Sequence, residues 1–181
     1  CRWVATAAPE ASTTTDELRA ELERSSGEAL ALGRAGQHEE AIARAEQALA
    51  RAEAAGDEGP IARAHRLLGS LHRLAGDHER ALGSFEAALV WAERSGDTVA
   101  RLDAMRGLSL ELIEAARDDE AQRLLDQVHA AHVRFDSRPW PWDAELSSLY
   151  AELSMRRERS DDAVRHAQEA LTIVLDHAPD D

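Results

Sequence analysis

A short stretch of this chain returns every 40 residues. Gly36-Gln37-His38-Glu39-Glu40-Ala41 comes back as Gly76-Asp77-His78-Glu79-Arg80-Ala81, and again as Ala116-Arg117-Asp118-Asp119-Glu120-Ala121. A second marker, Gly56-Asp57, keeps the same step at Gly96-Asp97. A fixed period of this length belongs to stacked arrays, in which each unit buries its apolar face only against its neighbours. The period therefore sets the fold before any single residue is weighed.

The residues between the markers say which array it is. Hydrophobic residues reach 44% but aromatics only 4%, and alanine supplies much of the total. Such a core suits closely packed helices, because strands prefer β-branched and aromatic residues. The spacing predicts eight helices, at roughly 15–34, 38–55, 59–75, 78–95, 98–115, 118–134, 142–157 and 160–177. Thr14 and Glu17 have the spacing of a capping box and mark the first start. Gly36 and Gly76 end first helices, where a left-handed residue is needed. Acidic residues follow at once (Glu39, Asp77, Asp118 and Asp161) and favour the N-terminus of the second helix. Residues 1–14 lack periodicity and read as a flexible tail or linker.

Small residues recur at helical spacing in each second helix: Ala41, Ala45 and Ala48, then Ala81 and Ala88, then Ala163, Ala167 and Ala170. They fall on one face and let helix axes approach closely. The second copy, with Leu68-Gly69, Gly76, Ala81, Phe85, Ala88 and Leu89, resembles the tetratricopeptide repeat in its longer form of about 40 residues. The third copy has Leu108-Ser109, Ala116, Ala121 and Leu125. The fourth has Tyr150-Ala151, Ala163 and Ala170, with Glu158 at its turn and a 42-residue step. The resemblance covers residues 16–177. It implies an all-α fold, an α-α superhelix of four antiparallel helix pairs, with repeats at about 15–56, 57–96, 97–136 and 142–178. It also implies a concave groove, lined by the first helices, that binds a peptide or protein segment. Similar arrays are attached to kinase, ATPase or transcription-regulator domains, so the expected setting is a larger bacterial signalling or regulatory protein.

Groove candidates follow from helix geometry. Arg66 and Arg73 are seven apart and project within about 20° of each other, with Arg63 and Ser70 beside them. Arg106 takes the place of Arg66 one repeat later. The functional reading is an arginine strip that engages an acidic segment through charge-assisted hydrogen bonds. The competing reading is a solvated face paired with nearby Glu and Asp. One subgroup of the family clamps a terminal carboxylate with lysine and asparagine, and this chain contains neither residue.

The net charge of -14 and pI near 5.0 argue against nucleic acid, whose phosphates need cations. All the side-chain positive charge apart from histidine is arginine, which fits a GC-rich genome. The His129/His132 and His65/His72 pairs lack the further ligands of a metal shell, so no metal and no cofactor are expected. No hydrolase elbow, phosphate loop, dinucleotide fingerprint or zincin motif is present, and the chain does not read as an enzyme.

Three further features invite a partner. The segment Asp136-Ser137-Arg138-Pro139-Trp140-Pro141-Trp142 breaks the regular spacing, and its indoles offer amphipathic surface; the alternative is a stiff loop folded over the array. The last helix carries an apolar stripe of Val164, Ala167, Leu171, Val174 and Leu175, so either the array continues in a longer parent or the stripe seats a partner or a second copy. That second copy would make the chain a homo-oligomerisation element. Cys1 excludes an intramolecular disulfide. It reads as the first residue of a fragment or, alternatively, as the lipidated start of a membrane-anchored lipoprotein. No run approaches the ~20 apolar residues of a membrane span, and the expected location is cytoplasmic.

Overall fold

The computed structural model describes residues 10–135 and 141–176, with side chains at 10–19, 132, 133, 135, 141 and 142 outside the description. The described residues form α1 (Glu10–Arg34), α2 (His38–Ala55), α3 (Glu58–Leu74), α4 (His78–Ser95), α5 (Thr98–Glu114), α6 (Asp118–Phe135), α7 (Pro141–Arg156) and α8 (Ser160–Asp176). Every boundary but one falls within a residue of the expectation. The exception is the first: α1 runs from Glu10, so Thr14 lies inside the helix and not at its start.

The same backbone device closes every first helix. Gly36 and Gly76 have φ of 82° and 78°, and Ala116 and Glu158 stand in the equivalent turns at 56° and 58°. In each turn the left-handed residue donates its N–H three residues back, and the next residue donates five back. The first pair is Gly36 to Gly33 at 3.1 Å and Gln37 to Leu32 at 3.0 Å; the last is Glu158 to Met155 at 3.0 Å and Arg159 to Ser154 at 2.9 Å. This paired pattern satisfies carbonyls that a helix end otherwise leaves bare. Between pairs, Gly56 and Gly96 are again left-handed, and Asp57 and Asp97 then cap α3 and α5 by accepting from Gly59 N at 3.3 Å and Ala100 N at 2.9 Å.

The chain forms two compact units, one up to Ala100 and one from Arg101 onward. In the first, α1 packs on α2, α2 on α3, α3 on α4, and α1 also reaches α3. Its core joins Ala29 of α1, Ala41 and Ala45 of α2, and Leu67, Leu68 and Leu71 of α3. Leu71 is fully buried, a burial that contributes roughly 2 kcal/mol. Two close approaches depend on glycine: a Cβ on Gly33 would stand 2.6 Å from Leu71, and one on Gly69 would stand 2.9 Å from the Phe85 ring. Exposed ion pairs, such as Arg51–Glu21 at 2.7 Å and Arg94–Glu58 at 2.8 Å, span the seams but add little to stability.

In the second unit α6 packs on α7 and α7 on α8. Ile113, Leu125, Val128 and Leu153 are fully buried. No described helix is long and apolar enough to cross a membrane.

Candidate functional site

α3 is built with one face in and one face out. Asp57 caps its start, Pro60 sits in its first turn, and Ile61, Ala64, Leu67, Leu68 and Leu71 are buried. The arc left over carries Arg63, Arg66, Ser70 and Arg73, and all four are half-buried. Half-burial fits arginine, whose stem covers apolar surface while the guanidinium stays wet. Arg73 in the last turn also meets the negative end of the helix dipole. At the C-terminal end of this arc Leu74 is 37% exposed and lies within van der Waals reach of Gly33 on α1.

The arginines differ in what else they do. Arg63 donates from Nη1 to Asp97 Oδ2 at 3.4 Å, and this aspartate also caps α5. Ser70 Oγ donates to the Arg66 carbonyl at 3.2 Å, so its hydroxyl proton is used within the helix while its lone pairs stay open. Arg63 braces the N-terminal end of the face, Arg66 and Ser70 lie along its middle, and Arg73 stands at its C-terminal end.

Arg106 belongs to the second unit and is held differently. Its guanidinium pairs with Glu145 through Nη1 and lies 3.7 Å from Asp103 through Nη2, and the side chain is 19% exposed. Register had matched it to Arg66, but its charge is met by two carboxylates of the same unit. Of the secondary candidates, Trp140 lies outside the described residues. Trp142 is on α7 with its side chain outside the description. Leu171 and Val174 are exposed at 59% and 56%.

The histidines are structural in their surroundings. Burial holds both His65 and His72 below the usual imidazole range, against the opposing pull of Glu53 on the first and of Asp77 and Glu46 on the second. His129 meets Tyr150 edge-on at 6.4 Å, and the side chain of His132 is outside the description. Among the described residues no three His, Cys, Asp or Glu side chains gather as a metal site requires.

Three features have no mark in the sequence pattern. Tyr150 donates to Asp126 Oδ1 at 2.9 Å and stacks on His166 at 5.2 Å, and burial and that carboxylate push its phenol well above the ordinary range. Trp91 packs against two clusters of the first unit, with the Arg94 guanidinium 4.5 Å over its ring. Glu111 is 1% exposed at the register position of Leu71 and Leu153. Asp126, the partner of Tyr150, lies on another helix, and the clusters around Trp91 join several helices, which local spacing does not reveal.

Residues 22–89 match the family model of the tetratricopeptide repeat. The fold is similar to that of a putative kinesin light chain with nearly identical TPR-like repeats from Podosopora anserina, with a TM-score of 0.71 and 18% identity over 87% of this chain and 76% of that one. It is also similar to BtubC (BKLC) from P. vanneervenii, with a TM-score of 0.68 and 18% identity over 88% of this chain and 65% of that one. At these identities the likeness speaks for the fold alone. No curated protein sequence matches the chain.

Proposed function

We propose that this tetratricopeptide-repeat chain holds an acidic segment of a partner protein along the outward arc of α3, with Arg66 and Arg73 as its principal contacts. Tetratricopeptide repeats are generally protein-interaction modules, and the match over residues 22–89 supports that class of function here. The observation that supports the finer reading is the line of Arg63, Arg66, Ser70 and Arg73 on one face of a chain whose net charge is -14. A local cationic strip on an acidic protein attracts an acidic segment and turns away other copies of itself. Guanidinium groups 7 residues apart on a helix stand about 10 Å apart along the axis, a span that three to four residues of extended peptide bridge. The setting we propose is a larger bacterial signalling or regulatory protein in the cytoplasm; the use of arginine to the exclusion of lysine supports the bacterial origin.

The test uses a fluorescently labelled acidic peptide and the full chain. Arg66→Glu and Arg73→Glu should each weaken binding about tenfold or more, and the loss should shrink at high salt. Arg80→Glu, a reversal at a side chain 73% exposed on α4, is the control. Equal losses from all three variants would sink the reading, because general charge would then explain the binding.

A further inference from the structure

A hydroxyl stands between two arginines of the α3 arc. Ser70 follows Arg66 by four residues and precedes Arg73 by three. The three side chains therefore share a sector of about 60°, with steps of about 6 and 4.5 Å along the axis. The Ser70 proton goes to the Arg66 carbonyl at 3.2 Å, which leaves the oxygen an acceptor only. A carboxylate cannot use an acceptor. The guanidinium groups take carboxylates, and Ser70 calls for an N–H. Ser148 on α7 bonds back in the same way, to the Ala144 carbonyl at 2.8 Å, but its neighbours one turn away are Glu145 and Glu152. An acceptor with a cation on either side thus belongs to the arc of α3 and not to that of α7.

This pattern separates the ways an acidic segment can lie along the arc. A helical segment presents acids, but its backbone N–H groups past the first turn are committed within the helix. A β-extended segment sets same-side residues about 6.7 or 13.4 Å apart, and neither matches the arginine spacing of about 10.5 Å. A polyproline II segment repeats every three residues at about 3.1 Å each, so acids three apart share a side about 9.3 Å apart, and its N–H groups are free. The segments of this sequence outside the described helices, 1–9, 136–140 and 177–181, hold no two acids three apart. A second copy presents its described acids on helices or at their caps.

We infer that the segment held by α3 is a polyproline II stretch of a partner protein with acidic residues three apart, one on Arg66 and one on Arg73, and that Ser70 accepts a backbone N–H from between them. The inference rests on the proposed function and adds to it a spacing, a conformation and a residue that reads backbone instead of charge. Ser70 is then the specificity-determining residue of the arc, because it separates an extended acidic segment from an acidic helix of equal charge.

The probes are labelled peptides of one composition, Ala and Gln around two Asp set two, three or four residues apart, together with a stapled helix whose Asp are seven apart. Each is titrated against the full chain. The three-apart peptide should bind about fivefold more tightly than the other three. N-methylation of the amides between its acids should weaken binding to the parent chain about fivefold and leave binding to Ser70→Ala unchanged, because that variant has no acceptor to lose. Alanine is the better helix former, so circular-dichroism melts of Ser70→Ala should match or exceed the parent. Equal binding at every spacing, tightest binding by the helix, or an N-methyl penalty that persists in Ser70→Ala overturns the inference; the arginine strip still stands if Arg66→Glu abolishes that binding. Peptides that bind the parent no better than Arg66→Glu remove both. Light scattering that shows a dimer of the parent chain dissolved by Arg66→Glu also overturns the inference, since the occupant would then be a second copy.

Discussion

The two units of this chain make the same turn from different residues. In the first unit the left-handed residue that closes each helix is glycine, at 36 and 76; in the second it is Ala116 and Glu158, with φ still near 57°. The two hydrogen bonds that define the turn persist in all four. What repeats is therefore the backbone path, and the side chains follow it only where the path is costly to leave. A non-glycine residue in that region costs roughly 1–2 kcal/mol, so the second unit carries a strain that the first avoids.

The packing contrast is larger, and it offers the strongest test. In the first unit Gly69 faces the Phe85 ring. Forty residues on, Ser109 and Leu125 hold the same register positions and both are fully buried, with Ser109 Oγ donating to the Met105 carbonyl at 2.8 Å. The smaller residue on the second helix matches the larger one on the first. Gly69→Ser alone should destabilise by about 1–3 kcal/mol, because its Cβ would press into the Phe85 ring. The double variant Gly69→Ser/Phe85→Leu, which moves the second unit's pair into the first, should recover more than half of that loss. Denaturant midpoints decide it; a double variant as unstable as the sum of its singles would break the idea of exchange.

The turns come next in size. Gly76→Ala should lower stability by about 1 kcal/mol, and the effect is conformational, because nothing lies within 4 Å of the new Cβ. Glu158→Gly and Ala116→Gly should raise it by somewhat less, since glycine also loses more freedom on folding. In a chain of this size 1 kcal/mol moves Tm by about 2–4 °C. Calorimetry on the two glycine variants sharpens the comparison directly. A fall in Tm for both would mean that Ala116 and Glu158 earn their places by contacts that outweigh backbone strain.

These contrasts also show what the sequence can and cannot disclose. The helix ends and the small-residue face of the second helices were legible because each is set by residues within a few turns of one another, and the period because its markers recur 40 residues apart. The outward arginines and the apolar stripe on α8 were legible for the same reason. Arg106 shows what register leaves out: it matches Arg66 in spacing, but Glu145, with which it pairs, lies 39 residues away in sequence, where spacing gives no hint. Glu111 was hidden for the opposite reason. A glutamate among alternating polar and apolar residues reads as surface, and only the neighbouring copies, with Leu71 and Leu153 at its position, place it in a core. Thr14 and Glu17 have the spacing of a cap, yet α1 runs from Glu10, so that local signal does not mark the helix start.

The smallest expected effect concerns acid. The first unit holds both histidines that burial keeps below the usual imidazole range, His65 and His72. The unfolded chain binds their protons at the ordinary value near 6.5, while the folded unit takes them up only at lower pH. Between those two values the unfolded state carries more protons, so stability falls as pH drops below about 6.5 and levels off beneath the folded values. The carboxylates held low by arginine, Glu21, Glu120 and Asp162, act in the same direction, because the unfolded chain again binds more protons, but in a lower window, at and below the ordinary Glu and Asp values. From pH 7 to 5 the histidines should therefore set the slope. Hydrogen exchange should show the amides of α3 losing protection across that range more steeply than those of α8, after correction for the intrinsic rate. His65→Gln/His72→Gln should flatten the α3 dependence, whatever it does to absolute stability. An unchanged slope would remove the histidines from the account and leave the two units equally sensitive to acid.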